Sequence, residues 1–311
     1  MYRIGVDLGG TKTAAALIDG ENRIICKKTA KTEPDKGNAF ISETIARLIS
    51  EVLSETGTET DGIEFLGIAS PGAIDVGGGY VERACNLDME HYPLARTVSE
   101  LTGIKNVKLE NDANAAALGE AIAGAAKGSQ CSVMITLGTG VGGFVIGGKV
   151  FSGFNYTGGE FGHMVIEYNG RQCNCGRKGC WEAYSSATAL ISDTKKAMKE
   201  DPASYLHEVA AKEGVNGKTA FIAARKGDEA AQKVVDGYIS HLACGIVNII
   251  NLLQPEILCL GGGVSNEGDG LMIPLKAKIA EEIFTQNSGP STEIRIAKLG
   301  NDAGLIGAAN L

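Results

Sequence analysis

Ile4-Gly-Val-Asp7-Leu-Gly9-Gly10-Thr11-Lys12-Thr-Ala-Ala-Ala-Leu-Ile18 is the stretch that decides the fold. Residues 2–7 read as a buried strand that ends on an acid, and a glycine turn follows at once. Residues 13–18 are a second apolar run, Asp19-Gly20 is a hairpin turn, and residues 23–29 make a third strand. The same order returns at Cys131. A strand to Leu137 ends in Gly138-Thr139-Gly140-Val141-Gly142-Gly143, a second strand covers 144–147, and a third follows Gly147-Gly148. Each half therefore opens with strand, glycine turn, strand, tight turn, strand. The pattern is no short-period repeat. It implies two copies of one α/β unit, with a nucleotide held between them.

The remaining elements fit that plan. Ile41, Ile45, Leu48, Ile49 and Val52 follow helical spacing, with Gly57 as the stop. Strands are expected at 63–69 and 106–110, a short helix at 93–102, and an alanine-rich helix from Asn111-Asp112-Ala113-Asn114 to about residue 125. Beyond residue 182 the chain reads as mainly helical, with a long helix near 228–253, strands at 256–260 and 293–298, and a helix from about 270 to 286. A last helix starts near Asp302, an expected N-cap. A crossing near 112–118 and a return near 298 place the domains at 1–115 plus 299–311 and at 116–298.

Bulk composition narrows the function. The chain has 311 residues, 44% hydrophobic and 21% charged, which is ordinary globular material for two cores. A net charge of −8 with no basic stripe argues against nucleic acid as a partner. The start, Met1-Tyr-Arg-Ile-Gly-Val-Asp7, has no signal-peptide pattern, and no uninterrupted apolar run approaches the ~20 residues of a membrane span. A cytoplasmic protein is expected. Cys26, Cys85, Cys131, Cys244 and Cys259 sit singly and read as small buried hydrophobes.

Glycine turns let backbone N–H groups approach phosphate oxygens, in part through positive φ. Asp7, at the end of a strand and the start of Gly9-Gly10-Thr11-Lys12, is placed to hold Mg²⁺ directly or through water, and Lys12 to meet phosphate charge. Gly138, Thr139 and Gly140 offer donors from the second half, and Gly262 and Gly263 line the adenosine side. A single glycine turn is ordinary hairpin material. Three after strands, one preceded by an acid, point to a triphosphate. None has the Walker or dinucleotide spacing.

His163, Cys173, Cys175 and Cys180 fall within eighteen residues. In a reducing compartment that set suits a closed, structural zinc site rather than disulfides. Glu160 and Glu182 flank it. Surface glutamates are usually solvated. Here their place astride the metal loop favours a polar ligand, and a sugar fits best. Glu160 and His163, three apart, share a face if the segment is tightly turned. Asp112 has two readings on the residues alone, helix N-cap or general base.

Seven motifs occur in order: Asp7-Leu-Gly-Gly-Thr-Lys12, Ser70-Pro-Gly72, Glu110-Asn-Asp-Ala-Asn114, Leu137-Gly-Thr-Gly-Val-Gly-Gly143, Gly158-Gly-Glu-Phe-Gly-His163, Cys173-Asn-Cys-Gly-Arg-Lys-Gly-Cys180-Trp-Glu182 and Leu260-Gly-Gly-Gly-Val264. Together, from residue 4 to residue 309, they resemble the ROK (repressor, open reading frame, kinase) family of sugar kinases and sugar-responsive repressors. Within it the chain is most similar to bacterial glucokinases, partly through Cys180-Trp-Glu-Ala-Tyr-Ser-Ser-Ala-Thr188. The resemblance implies an actin-like, hexokinase-type fold of two α/β domains with a cleft between them, and a homo-oligomer, dimer or tetramer. It implies ATP with Mg²⁺, structural Zn²⁺, and transfer of the γ-phosphate to the 6-hydroxyl of glucose. Asp112 would be the general base, with Gly72, Asn111, Glu160, His163 and Glu182 at the sugar. His163 would serve both zinc and sugar.

Two departures from the family pattern stand out. Asn174 replaces the usual glycine between cysteines, at a position that is not a ligand. Met89 stands where an aromatic is common and bears on the rim of the sugar pocket. The alternative acceptor is an N-acetylhexosamine (N-acetylglucosamine or N-acetylmannosamine) or another hexose, and polyphosphate is an alternative donor. A repressor would carry a helix-turn-helix module before the first strand, and that strand begins at Tyr2. A zinc-stapled sugar-binding protein without catalysis is the third reading, separated from a kinase by ADP release.

Overall fold

The computed structural model describes residues 2–138, 143–156, 158–285 and 289–311. Thr139 and Gly140 lie outside the described residues. The first half runs β1 (Tyr2–Leu8), β2 (Lys12–Ile18), β3 (Ile24–Lys31), α1 (Asn38–Thr56), β4 (Ile63–Ser70), β5 (Ala73–Asp75), β6 (Tyr80–Ala84), β7 (Met89–Tyr92), α2 (Leu94–Thr102), β8 (Val107–Asn111) and α3 (Asp112–Ala123). The second runs β9 (Cys131–Thr136), β10 (Phe144–Ile146), β11 (Lys149–Val150), α4 (Glu182–Ser185), α5 (Ala187–Glu200), α6 (Leu206–Glu213), α7 (Thr219–Ala224), α8 (Glu229–Leu253), β12 (Ile257–Gly261), α9 (Asp269–Glu282), β13 (Glu293–Ile296) and α10 (Ala303–Ala308).

The duplication shows in the sheets. One has the order β3-β2-β1-β4-β8 and the other β11-β10-β9-β12-β13. In both, the first three strands form an antiparallel meander. Parallel pairs then follow, β1–β4 and β4–β8 in one sheet and β12–β13 in the other. This is the actin-like α/β architecture. Strands β5, β6 and β7 form a separate antiparallel sheet that the periodicity does not announce. They are only three to five residues long and joined through Gly77-Gly78-Gly79, too short for a two-residue alternation to register.

The described residues fall into two compact units, one drawn from 1–134, 143–159 and 297–311, the other from 135–142 and 160–296. In the first, Ile4, Val6 and Leu8 pack on the buried stripe of α1, namely Ile41, Ile45, Leu48, Ile49 and Val52. Gly57 ends that helix at φ +63°, where glycine avoids the strain a side chain would bring. Ala14, Ala16 and Ile18 face the other way, onto Leu305, Ile306 and Ala309 of the last turn of chain. Helix α10 comes within backbone contact of the sheet because the facing residues have no side chain. A Cβ on Gly67 would stand 1.7 Å from the Ala308 oxygen, and one on Gly5 would stand 1.9 Å from the Leu305 oxygen. The chain thus returns to the first unit from Ala297 onward.

Glu120 fixes that return. It is 1% exposed, and its carboxylate accepts N–H groups from Ala125 (2.6 Å), Lys298 (2.9 Å) and Leu299 (2.7 Å). Removing it strands buried donors, each costing about 1–3 kcal/mol. Glu120→Ala is expected to lower unfolding stability by about 3–5 kcal/mol in urea denaturation. A change under ~1 kcal/mol would show that the staple carries no weight.

In the second unit, α8 is the central helix. Asp228 caps it, accepting the Ala231 N–H at 2.7 Å, and Val235, Tyr238, Ile239, Leu242, Ile246 and Ile250 are buried. At 25 residues α8 is long and apolar enough to cross a bilayer, yet over half of its most apolar window is buried inside the protein. It reads as a core helix. Helix α9 ends at Glu282, four residues short of the expected 286.

Candidate active site

The first unit carries the turn from Gly9 to Lys12 and the acids Asp7 and Asp112. Between β1 and β2 the chain reverses through a tight turn, with the Gly9 N–H donating to the Lys12 carbonyl at 3.0 Å. Neither Gly9 nor Gly10 has positive φ. The turn needs glycine for space instead. A Cβ on Gly9 would lie 2.9 Å from the Lys12 oxygen, and one on Gly10 would lie 3.1 Å from the Asn86 amide. Thr11 and Lys12 are exposed at the tip.

Asp7 closes β1. Burial and then the nearby Asp112 charge push its carboxyl up to about 6, against the pull of Lys27 and Lys12, with Asp302 adding to the rise. Gly304 gives it room, since a Cβ there would lie 3.1 Å from the carboxyl carbon. A carboxylate raised by burial and then by a neighbouring acid suits a divalent cation held by one or two acids plus phosphate and water. Asp302 sits at the expected N-cap position but makes no capping hydrogen bond. It pairs with Lys27 instead.

Because the folded pKa of Asp7 lies above the ordinary 3.8, its contribution to stability is fully present below pH ~4 and is lost as pH rises through about 6. In buffer without added magnesium, Asp7→Asn is therefore expected to stabilise the fold at pH 8 by about 1–3 kcal/mol and by far less at pH 4. Equal shifts at both pH values would contradict this.

Asn111 and Asp112 divide the labour at the β8–α3 junction. Asn111 is the N-cap, its Oδ1 accepting the N–H groups of Ala113 (2.9 Å) and Asn114 (3.3 Å). Its amide donates to the Gly72 carbonyl at 3.1 Å, which joins two expected sugar residues. Gly72 needs to be glycine. Its φ is +96°, and a Cβ would lie 2.1 Å from the Arg83 oxygen. Asp112 is thus not the cap. It is the first residue of α3, with Oδ1 accepting the Ala113 N–H at 2.9 Å. Burial raises its carboxyl above the ordinary carboxylate range.

The second unit carries the metal loop. The ligand atoms of His163, Cys173, Cys175 and Cys180 all lie within 4.8 Å of one another. Cys175 and Cys180 sulfurs are 3.6 Å apart, and the Cys173 sulfur is 3.7 Å from His163 Nδ1. Sulfurs around a tetrahedral zinc at ~2.3 Å stand ~3.8 Å apart, so the quartet fits that ion. Burial, then the neighbouring thiols, push Cys180 up to about 12, a cost that a divalent cation among them removes. Two isolated bridges, Val165 with Cys180 and Gln172 with Lys178, fold the loop. Gly179 at φ +81° passes so close to the Glu167 carbonyl that a Cβ would clash at 1.7 Å.

Glu160 and His163 bracket a 3₁₀ turn over Phe161–His163, the tight turn that aligns positions three apart. The His163 N–H donates to the Glu160 carbonyl at 3.1 Å. Glu182 opens α4. Burial raises its carboxyl, with His163 lowering and Glu160 raising it, so the three groups sense one another. Gly138 accepts the Ala187 N–H at 3.0 Å, and Gly262, at φ +85°, has no room for a Cβ beside Leu137. Gly263 begins a short 3₁₀ turn.

Three features escaped the sequence reading. Trp181, between the last cysteine and Glu182, is fully buried and donates its indole N–H to the His241 carbonyl at 2.9 Å. It fills the notch at Gly245 of α8, where a Cβ would lie 2.0 Å from the indole, and so anchors the metal loop to the core helix. The Cys180-Trp-Glu182 order is the signal that points to it. Met89 is 2% exposed within the first core, so it does not shape a pocket rim. Cys85 is exposed rather than buried, and Cys131 and Cys244 are half-buried.

The duplicated α/β fold and the relatives it matches make this chain a sugar kinase. The ROK family model matches residues 3–311, and the chain belongs to the ROK family. A glucokinase of Thermotoga maritima is 39% identical over 99% of this chain and 96% of its own length. The Streptomyces griseus ROK glucokinase, solved with glucose and AMPPNP, superposes with TM-score 0.81 at 35% identity, covering 100% of this chain and 98% of its own. The ROK hexokinase of Thermus thermophilus gives TM-score 0.85 at 32% identity, over 99% and 97%.

Proposed function

We propose that the protein is an ATP-dependent hexose kinase that transfers the γ-phosphate to the 6-hydroxyl of glucose. The observation that carries this reading is the division between Asn111 and Asp112. Because Asn111 is the N-cap of α3, the Asp112 carboxylate is not needed for that role and is assigned to take a proton. Asn111 and Gly72 orient neighbouring hydroxyls, and Asp112 accepts the proton as the sugar oxygen attacks phosphorus. Glu160, His163 and Glu182 hold hydroxyls toward the anomeric end, His163 through Nε2 because Nδ1 faces the sulfurs.

Zn²⁺ supplies no bond-making chemistry at a four-ligand site, where its role is to brace the loop. Mg²⁺ at Asp7 would neutralise phosphate charge, with Gly9, Gly10, Thr11, Lys12, Gly138, Gly262 and Gly263 around the nucleotide. Thr139 and Gly140 are assigned there from sequence alone. The glucokinase relatives support glucose as acceptor, and the AMPPNP-bound neighbour supports ATP as donor. The family likeness also supports a cytoplasmic homo-oligomer, whose size sedimentation equilibrium would read.

The test is ADP formation over glucose, mannose, fructose, allose, N-acetylglucosamine and N-acetylmannosamine, with ATP and polyphosphate run in parallel. Glucose with ATP is expected to give the highest kcat/KM. A higher value for an N-acetylhexosamine would overturn the acceptor assignment.

A further inference from the structure

Glu110 directly precedes Asn111 and Asp112 and is 5% exposed. Such burial of a carboxylate demands partners, and Glu110 has three. Oε1 accepts the Asn111 N–H at 2.9 Å and the Asn114 side-chain amide at 3.0 Å, while Oε2 accepts the Ser152 hydroxyl at 3.2 Å. The first two contacts grip the turn that presents Asn111 and Asp112. The third reaches a segment forty-two residues away in sequence.

Ser152 is the neck of a loop. Its carbonyl accepts the Gly158 N–H at 2.7 Å, so the chain leaves and returns at one point. Gly158 fits there because a Cβ would lie 2.8 Å from the Gly153 nitrogen. Within the loop Phe154 is 98% exposed, and Tyr156 places its hydroxyl 2.9 Å from where a Gly77 Cβ would stand, on the turn between β5 and β6. Two residues beyond the neck comes Glu160.

We propose that Glu110 is a positioning residue that pins the neck of this loop, through Ser152, to the turn carrying Asn111 and Asp112, so that the chain entering Glu160 and the base are set by one carboxylate. The proposal rests on the hexose-kinase reading above. Glu110 touches neither substrate nor phosphate in this role. It acts through its neighbours, and the two sets of contacts separate by readout. Loss of the Ser152 contact loosens the chain that leads to a sugar-holding acid, which raises the KM for hexose. Loss of the Asn111 and Asn114 contacts misplaces the base, which lowers kcat.

The test uses the full chain and measures kcat, the KM for glucose, the KM for ATP and Tm. Ser152→Ala is expected to raise the glucose KM about 5- to 10-fold, the worth of one hydrogen bond, with smaller changes in kcat, ATP KM and Tm. Ser152→Thr, which keeps the hydroxyl, is expected to restore it. Glu110→Gln keeps the shape and the oxygen that accepts from Asn111 and Asn114, so it is expected to fold and to hold kcat, whereas Glu110→Ala removes that oxygen and is expected to lower kcat by at least about 10-fold. In the double variant with Glu110→Ala the KM effect of Ser152→Ala is expected to shrink, because its partner is already altered.

Wild-type glucose KM in Ser152→Ala would overturn the inference, as would independent, additive effects in the double variant. So would parallel losses in glucose KM, ATP KM and Tm, which mark a purely structural contact. A wild-type protein that turns over no hexose fails the kinase reading itself. A wild-type protein that turns over glucose beside an unaffected Ser152→Ala fails only this inference.

Discussion

Asp112→Ala is expected to lower kcat by at least ~10²–10⁴-fold, the range assigned to a positioned general base, while glucose binding measured by calorimetry stays largely intact. The expectation follows from local geometry. Asn111 accepts both the Ala113 and the Asn114 N–H, so the Ala113 N–H that Asp112 also meets keeps a partner and removing the Asp112 carboxylate spares the cap. The same carboxyl is raised above the ordinary carboxylate range by burial. Activity needs its ionised form, so the acid limb of the kcat–pH profile is expected to lie above the value of a free aspartate and to be missing from any residual activity of the variant. Turnover at the wild-type rate by Asp112→Ala would refute the assignment.

Cys175→Ser carries the second large effect. Cys175 is exposed, whereas Cys173 and Cys180 are buried, so its replacement tests metal binding with the least damage to packing. The variant is expected to lose zinc by elemental analysis and to raise the glucose KM with little change in the KM for ATP. The link is positional. The loop that ends at Cys180 continues directly into Trp181, locked in the Gly245 notch, and Glu182. A reacting group displaced by ~1 Å can lose ~100-fold in rate, so a slack loop lowers turnover as well. Native protein free of zinc, or a zinc-free variant with unchanged glucose KM, would count against the bracing role.

Local signals were legible and distant ones were not. The strand–glycine–strand order of each half is written in contiguous residues, and so is the histidine–cysteine cluster, because its four residues lie at short spacings. In sequence Asp112 reads as cap or base and Asn111 is not raised as the cap, although both residue types cap helices equally well. The Asn114 N–H, which Asn111 alone of the two accepts, makes Asn111 the cap. Why residues 9 and 10 are glycine was open for a related reason. Glycine answers both to positive φ and to crowding, and here Lys12 and Asn86 supply the crowding. Partners far apart in the chain were hidden. Nothing near Glu110 announces Ser152, nothing near Trp181 announces Gly245, and Met89 differs from a rim residue only through the core that closes over it. Glycines at 5, 67 and 119 look like ordinary breakers until α10 is laid against them, as does Gly307 within α10 until Ala115 of α3 is laid against it.

The central claim is that a primary alcohol of a hexose, held beside Asp112, receives the terminal phosphoryl group. NMR of the product from glucose and ATP tests this directly, through the coupling between phosphorus and the sugar protons. The account predicts a single phosphate ester whose phosphorus couples to the two protons on carbon 6, formed in step with ADP. An ester on the anomeric carbon, or ADP released with inorganic phosphate alone, would contradict it.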